Sequence, residues 1–184
     1  MILVVAATAL ELEGLAAVAG YETLECGIGP VEAAASTARE LAARRPDAVL
    51  HVGIAGGRGI APPALVLGSE AVYEDISGDV AARFPRIERV EPDARLLAAA
   101  RGVLRDALVL PIGTTARVGA GKSCRVEAME GFAVLRAAQL AGVPAVELRA
   151  ISNDPAESDR DRWRPREALA ALHDAVPRLL SAFA

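Results

Sequence analysis

The chain is poor in cysteine, histidine and lysine and has no long apolar run, and each scarcity narrows what it can be. Cys26 and Cys124 stand far apart and match no zinc spacing, so neither a metal site nor a disulfide framework is expected. Both thiols are expected to be reduced. His51 and His173 are too isolated to suggest a metal or a catalytic dyad. No apolar stretch nears the ~20 residues a membrane span needs. The opening MILVVAATALELEG lacks a basic start and soon meets Glu11 and Glu13, so it reads as a first strand and not as a signal peptide. The expectation is a cytoplasmic protein that neither contacts a membrane nor needs a metal. Positive charge is also in short supply: the formal net charge is −4, with both signs scattered, which leaves no electrostatic footprint for nucleic acid. Lys122 is the only lysine beside plentiful arginine, as GC-rich coding or heat adaptation would each produce.

What is present is alternation. A chain of 184 residues suits one domain, residues 1–184, with a core able to stand alone. Ile2 to Ala7 reads as a strand buried on both faces, followed by a short helical stretch from Thr8 or Ala9. Tyr21 to Cys26 reads as a second strand, and Pro30 opens a helix running to Arg45. Ala48 to Val52 is the next strand, opening into a glycine-rich turn from Gly53 to Gly57. Leu65 to Tyr73, Leu108 to Gly113 and Ala145 to Ile151 are further strands, and Thr114 to Val118 extends the second of these. Helices are expected over Asp93 to Asp106, Met129 to Ala141 and Pro165 to Phe183, the last kinked at Pro177. Polar loops are expected from Glu74 to Pro92, able to close over a ligand, and from Ser152 to Arg164. The order predicts an α/β fold of three layers, α/β/α, around a mixed, mostly parallel sheet.

Several residues could carry chemistry. Glu11 lies just past the first strand, where a carboxylate can act as general base on water; the position equally suits an exposed glutamate in a first helical turn. Gly27-Ile28-Gly29 and Gly53-Ile54-Ala55-Gly56-Gly57 follow strands, yet neither has dinucleotide-binding spacing. ARVGAGKS, residues 116–123, imitates a phosphate-binding loop but has Ala116 in place of the first glycine. Glu130 at a helix start offers two oxygens for the two hydroxyls of a ribose, or simply complements the helix dipole. Asn153 at a strand end offers a donor and an acceptor to a 6-oxopurine edge, or forms an Asx-turn before Asp154-Pro155.

Taken together, VVAATALELEG, CGIGPVEAAAST, HVGIAGG, EAMEGFAV and GVPAVELRAISND resemble, in order, the nucleoside phosphorylase/nucleosidase superfamily, which includes the methylthioadenosine/S-adenosylhomocysteine nucleosidases. The resemblance implies a purine nucleosidase fold that needs no cofactor, acts on a small-molecule purine nucleoside and assembles as a homo-oligomer, a dimer or a tetramer. It implies Glu11 as the water-activating base and Asn153 as the group that stabilises the leaving purine, with Asp154 beside it as a further catalytic candidate. It implies Met129, Glu130 and Arg149 at the ribose, and Ser152, Asn153, Ala55 and Gly56 at the base. The adenine-directed nucleosidases carry Ser-Asp where this chain has Ser152-Asn153. An aspartic acid suits adenine, which requires protonation at N7; an asparagine amide suits a 6-oxo group. The arginines and the serine that hold phosphate in the phosphorylases have no counterpart here, so water is the implied nucleophile.

Within the superfamily, the VENMEG-like and RAISN-like motifs and the ATALELE start are most similar to the futalosine hydrolases, which release hypoxanthine in a route to menaquinone. The competing expectations are an adenine-releasing nucleosidase, with Asp154 as the acid, and a nucleoside-binding protein without activity. Val118 and Phe132 are the candidates to stack on the base; Arg83 and Arg86 could meet a substrate carboxylate or be solvated loop arginines, the commoner case.

Overall fold

Strand β1 (Ile2–Ala6) is buried along its whole length, and its alternate residues face two different cores. Ile2, Val4 and Ala6 join one apolar cluster; Leu3 and Val5 join another. A strand covered on both faces needs no polar side, which is why its sequence is a continuous apolar run. The first cluster contains the buried stripe Ala168, Leu172, Ala175, Val176, Leu179 and Leu180 of helix α5 (Pro165–Phe183), together with Ala100 and Leu104 from α3 (Ala94–Val103) and the residue after it. The second contains Ala33 and Leu41 of α2 (Pro30–Arg44) and Ala133, Val134, Leu135, Ala137 and Ala138 of α4 (Gly131–Ala141). Helices thus cover both faces of the sheet, giving the three-layer α/β/α arrangement. A short helix α1 (Ala9–Leu12) follows β1. The structure, a computed structural model, describes residues 1–15, 20–76 and 85–184.

The remaining strands are β2 (Tyr21–Glu25), β3 (Ala48–Gly57), β4 (Leu65–Tyr73), β5 (Arg89–Val90), β6 (Leu108–Thr114), β7 (Val126–Ala128) and β8 (Ala145–Asn153). The pairings of β1 with β2 and β3, β3 with β8, β4 with β6 and β6 with β7 are parallel. Those of β3 with β7 and of β4 with β5 and β8 are antiparallel. The sheet is therefore mixed and mostly parallel. It also closes on itself, because β3–β7–β6–β4–β8 returns to β3. Ala55, Val66, Ile112, Val126, Ala128 and Ile151, drawn from all five strands of that ring, pack together in a third cluster.

Four local expectations need correction. Gly53 to Gly57 is no turn but the second half of β3. A Cβ at Gly53 would lie 2.2 Å from Arg149 Nη1 and 2.7 Å from Glu11 Oε1, so the glycine makes room for side chains, not for a bend. Strand β6 stops at Thr114, and β7 is too short to show a period in the sequence. Helix α3 ends at Val103, and Asp93 caps it by accepting from the amides of Arg95 and Leu96. Ser152 and Asn153 belong to β8, not to the loop after it. The Glu74–Pro92 loop lies partly outside the described residues, as does Arg83; Arg86 pairs with Glu88. Helix α5 continues through Pro177 as one element.

Both cysteines are free and buried. Burial pushes the Cys26 thiol up to about 12 and the Cys124 thiol up to about 11. A thiol that does not ionise is a poor nucleophile. Neither should be alkylated by iodoacetamide in the folded protein at mildly alkaline pH, while both should react in urea. Intact-mass measurement checks this, and rapid labelling of the folded chain would contradict it. No helix among the described residues is long and apolar enough to cross a membrane.

Candidate active site

A cleft of about 340 Å³ opens beyond the carboxyl ends of β1, β3 and β8 and against the start of α4. That end of a parallel sheet is where ligands gather. Residues singled out in the sequence line it, among them Glu11, Ala55, Gly56, Val118, Met129, Glu130, Ser152 and Asn153. A larger hollow of about 710 Å³ lies at the opposite end, by Met1, Asp47 and Phe183, and contains none of them.

Glu11 is buried at the cleft floor, with a relative exposure of 6%. Its Oε2 accepts the amide and the hydroxyl of Thr8, both at 3.0 Å, and its Oε1 accepts the Ile54 amide at 3.0 Å. A carboxylate has four lone-pair sites. Three are filled, so Oε1 keeps one for a water molecule. Glu130 is the N-cap of α4 and equally buried. Its Oε1 accepts the Gly29 amide at 3.1 Å, and its Oε2 meets Arg149 Nη2 at 3.5 Å. One lone pair remains on each oxygen, the number and spacing that a vicinal diol requires.

At the other wall, β8 slips register against β3: Ile151 opposes Ala55, but Asn153 opposes Gly56. The extra residue is a bulge, and it lets adjacent Ser152 and Asn153 both line the cleft, which regular alternation forbids. The single hydrogen of the Ser152 hydroxyl has two acceptors in reach, Asn153 Oδ1 at 2.8 Å and the Ala55 carbonyl at 3.2 Å. Asn153 Nδ2 is buried without a hydrogen-bond partner. An unmade bond of this kind costs about 1–3 kcal/mol, and a ligand that accepts it recovers that cost.

Two sequence-chosen residues stand elsewhere. Asp154 does not line the cleft: its carboxylate accepts the Ala156 amide at 2.9 Å and the Gly59 amide at 3.2 Å. Those two bonds, that of Ala156 first, hold its pKa below the usual value, which suits an anion and not a proton donor. Arg149 lies beneath the cleft, 1% exposed, so it reaches a ligand only through Glu130. His51 is not isolated: its Nδ1 donates to the Val5 carbonyl at 3.0 Å, and Nε2 accepts from Arg149 Nη2. Burial first, then the Arg149 charge, holds the imidazole well below its usual pKa, so it is neutral. Glu147 completes the group, accepting Arg149 Nε at 2.8 Å.

Burial raises the Glu147 pKa, opposed by Arg149 and reinforced by Glu130. A carboxyl whose folded pKa exceeds its unfolded one contributes stability that is present at low pH and lost as pH rises through the folded value. Chemical denaturation followed above the ordinary carboxylate range should therefore show stability falling with rising pH, and Glu147→Gln should remove that slope. An unchanged slope would contradict the assignment.

Sequence reasoning missed two residues that line the cleft, Trp163 and Glu127. Trp163, the single tryptophan, lines the cleft and donates Nε1–H to the Glu157 carbonyl at 3.2 Å. Its solitary place among arginines before α5 was the available signal. Phe132 instead stacks on Tyr73, with centroids 5.2 Å apart, and is not in the cleft; Val118 is. Glu127 lines the cleft, pairs with Arg58 at 2.6 Å and accepts the amides of Gly119 and Gly121. Glu74 accepts the amides of Lys122, Ser123 and Cys124 and the Ser123 hydroxyl. Burial pushes the Glu74 pKa up, but these bonds outweigh it and hold the pKa down. The phosphate-loop imitation is thus closed by the chain's own carboxylates.

Known proteins resemble this chain in sequence and in fold. Residues 20–124 match the family model of the phosphorylase superfamily. The chain is 38% identical over 186 residues to a futalosine hydrolase of Streptomyces coelicolor, covering 87% of this chain and 78% of that one. It is 31% identical over 192 residues to a futalosine hydrolase of Thermus thermophilus, covering 88% and 82%. The fold matches that of a Streptococcus pneumoniae MTA/SAH nucleosidase solved with 8-aminoadenine, with a TM-score of 0.85 at 24% identity over 98% of this chain and 99% of that one.

Proposed function

The chain belongs to the phosphorylase superfamily, beside its futalosine hydrolases, and from that premise we propose that it cleaves the N-glycosidic bond of futalosine with water, releasing hypoxanthine. The observation that carries the reading is the unpartnered Nδ2 of Asn153, in the same cleft as Glu11 and Glu130. Its two hydrogens suit the O6 and N7 acceptors of a 6-oxopurine. Adenine would set its own 6-amino donor against them.

In this reaction the C1′–N9 bond stretches first, and negative charge grows on the purine. Asn153 donates to that charge, worth about 3 kcal/mol if it acts as an oxyanion donor does. Glu130 holds the two ribose hydroxyls. Water bound at the free lone pair of Glu11 attacks C1′ as the C1′–N9 bond breaks, and its proton passes to Glu11. The purine leaves as an anion that solvent protonates at nitrogen, and Glu11 returns its proton to solvent. The adenine-directed alternative needs Asp154 as the acid, and Asp154 is held out of the cleft by Gly59 and Ala156.

The same reading places the reaction in menaquinone biosynthesis, in the cytoplasm and within a homo-oligomer. Leu10, Ile28 and Val118 support the last point, because they rim the cleft with relative exposures of 57%, 63% and 51%. A second copy of the chain would cover such apolar side chains. The test is incubation with futalosine, methylthioadenosine and S-adenosylhomocysteine, with and without phosphate, followed by chromatography of the free base. Hypoxanthine from futalosine alone is expected; adenine as the main product would overturn the role of Asn153.

A further inference from the structure

We propose that Glu147 and His51 are positioning residues that hold the Arg149 guanidinium back from Glu130, leaving a free lone pair on each Glu130 oxygen for the ribose. The proposal rests on the reading of Glu130 as the sugar-binding group and adds how that group is kept available.

Arg149 is the centre of a fully buried group. Its Nε donates to Glu147 at 2.8 Å and its Nη2 to His51, while Nη1 reaches the Ile54 carbonyl only at 3.5 Å. Its contact with Glu130 is the same long 3.5 Å. Left to itself, a buried guanidinium takes a carboxylate with two parallel bonds. A forked pair with Glu130 would fill the lone pairs that a diol needs. Glu147 takes up the Nε hydrogen, one of those a forked pair would need, and neutral His51, fixed by donating to Val5, presents an acceptor to Nη2. The division leaves one long bond to Glu130.

The chain makes room for this. A Cβ at Gly131, directly after Glu130, would come within 2.4 and 2.5 Å of the Glu147 carboxylate oxygens. Glu147 Oε2 is buried without a partner, a cost that packing alone does not explain. An apolar residue at position 147 would fill the same space without that cost. The carboxylate is explained by what it does to Arg149.

The proposal is tested by calorimetric binding of inosine and 2′-deoxyinosine to the wild-type chain and to Glu147→Gln, His51→Leu and Gly131→Ala. The last displaces the Glu147 carboxylate without altering its charge. Wild type should prefer the ribonucleoside by roughly tenfold to a hundredfold, the usual worth of a hydrogen bond to a charged group. In the variants that preference should fall towards unity, with KM for futalosine raised more than kcat is lowered. His51→Gln, which keeps an acceptor, should lose less than His51→Leu. Folded variants that melt earlier but keep the full preference would mean a merely structural role and would overturn the proposal. A wild-type chain with no preference for the 2′-hydroxyl would overturn instead the reading of Glu130 on which it rests. Should one variant fail to fold, either of the others decides the question.

Discussion

Glu11→Gln is expected to lower turnover by about 10²–10⁴-fold, the usual contribution of a positioned general base, while nucleoside affinity stays nearly unchanged. The geometry sets this expectation. Three of the four lone pairs of Glu11 are held by Thr8 and Ile54, so the side chain cannot swing away, and the fourth is left for water. Glutamine fills the same space but cannot take a proton. It also turns one NH₂ group towards a donor that now binds oxygen, so a small loss of stability, about 1 kcal/mol, should accompany the loss of rate. Single-turnover kinetics with futalosine, beside binding measured on the same sample, separates the two effects. If turnover stays near that of wild type, Glu11 is not the base. A nucleoside-binding protein without activity would likewise be indifferent to the substitution.

Arg149→Met should destabilise the fold by about 3–5 kcal/mol, the loss seen when one partner of a buried ion pair is removed. The side chain that remains has a similar shape, so the effect is electrostatic. Glu147, Glu130 and Glu11 are all buried, and the Arg149 guanidinium sits among them. Burial lowers the Arg149 pKa, but Glu147, Glu130 and Glu11 outweigh it and raise it, so the cation stays charged. Without it, Glu147, whose pKa burial already raises, must bind a proton to remain inside, and the variant should regain stability as pH falls. Urea unfolding at neutral and acidic pH measures both parts. A loss below about 1 kcal/mol, the level of an exposed pair, would show that the group is not coupled as described.

Much of the fold was legible because burial on two faces writes itself as an unbroken apolar run, as in Ile2–Ala6, and because Pro165 marks the start of α5. Glycine was the misleading residue. At Gly53 it serves close approach by Arg149 and Glu11, which a sequence cannot distinguish from a turn. The residues that share the candidate cleft were legible where polar residues end strands or open helices: Glu11, Glu130 and Asn153. The cleft was illegible where one residue of register matters. The bulge at Ser152 brings Asn153 into the cleft and leaves Asp154 to Gly59 and Ala156, and no local pattern announces a bulge. Arg149 was placed at the ribose, although its full burial comes from the cross-strand neighbours His51 and Glu147, which only the fold brings together.

The most direct test of the account is futalosine cleavage in ¹⁸O-labelled water without phosphate, with both products weighed by mass spectrometry. Free hypoxanthine, unlabelled, and one ¹⁸O in the sugar product are expected. Base release that depends on phosphate, or a sugar product without the label, would contradict it.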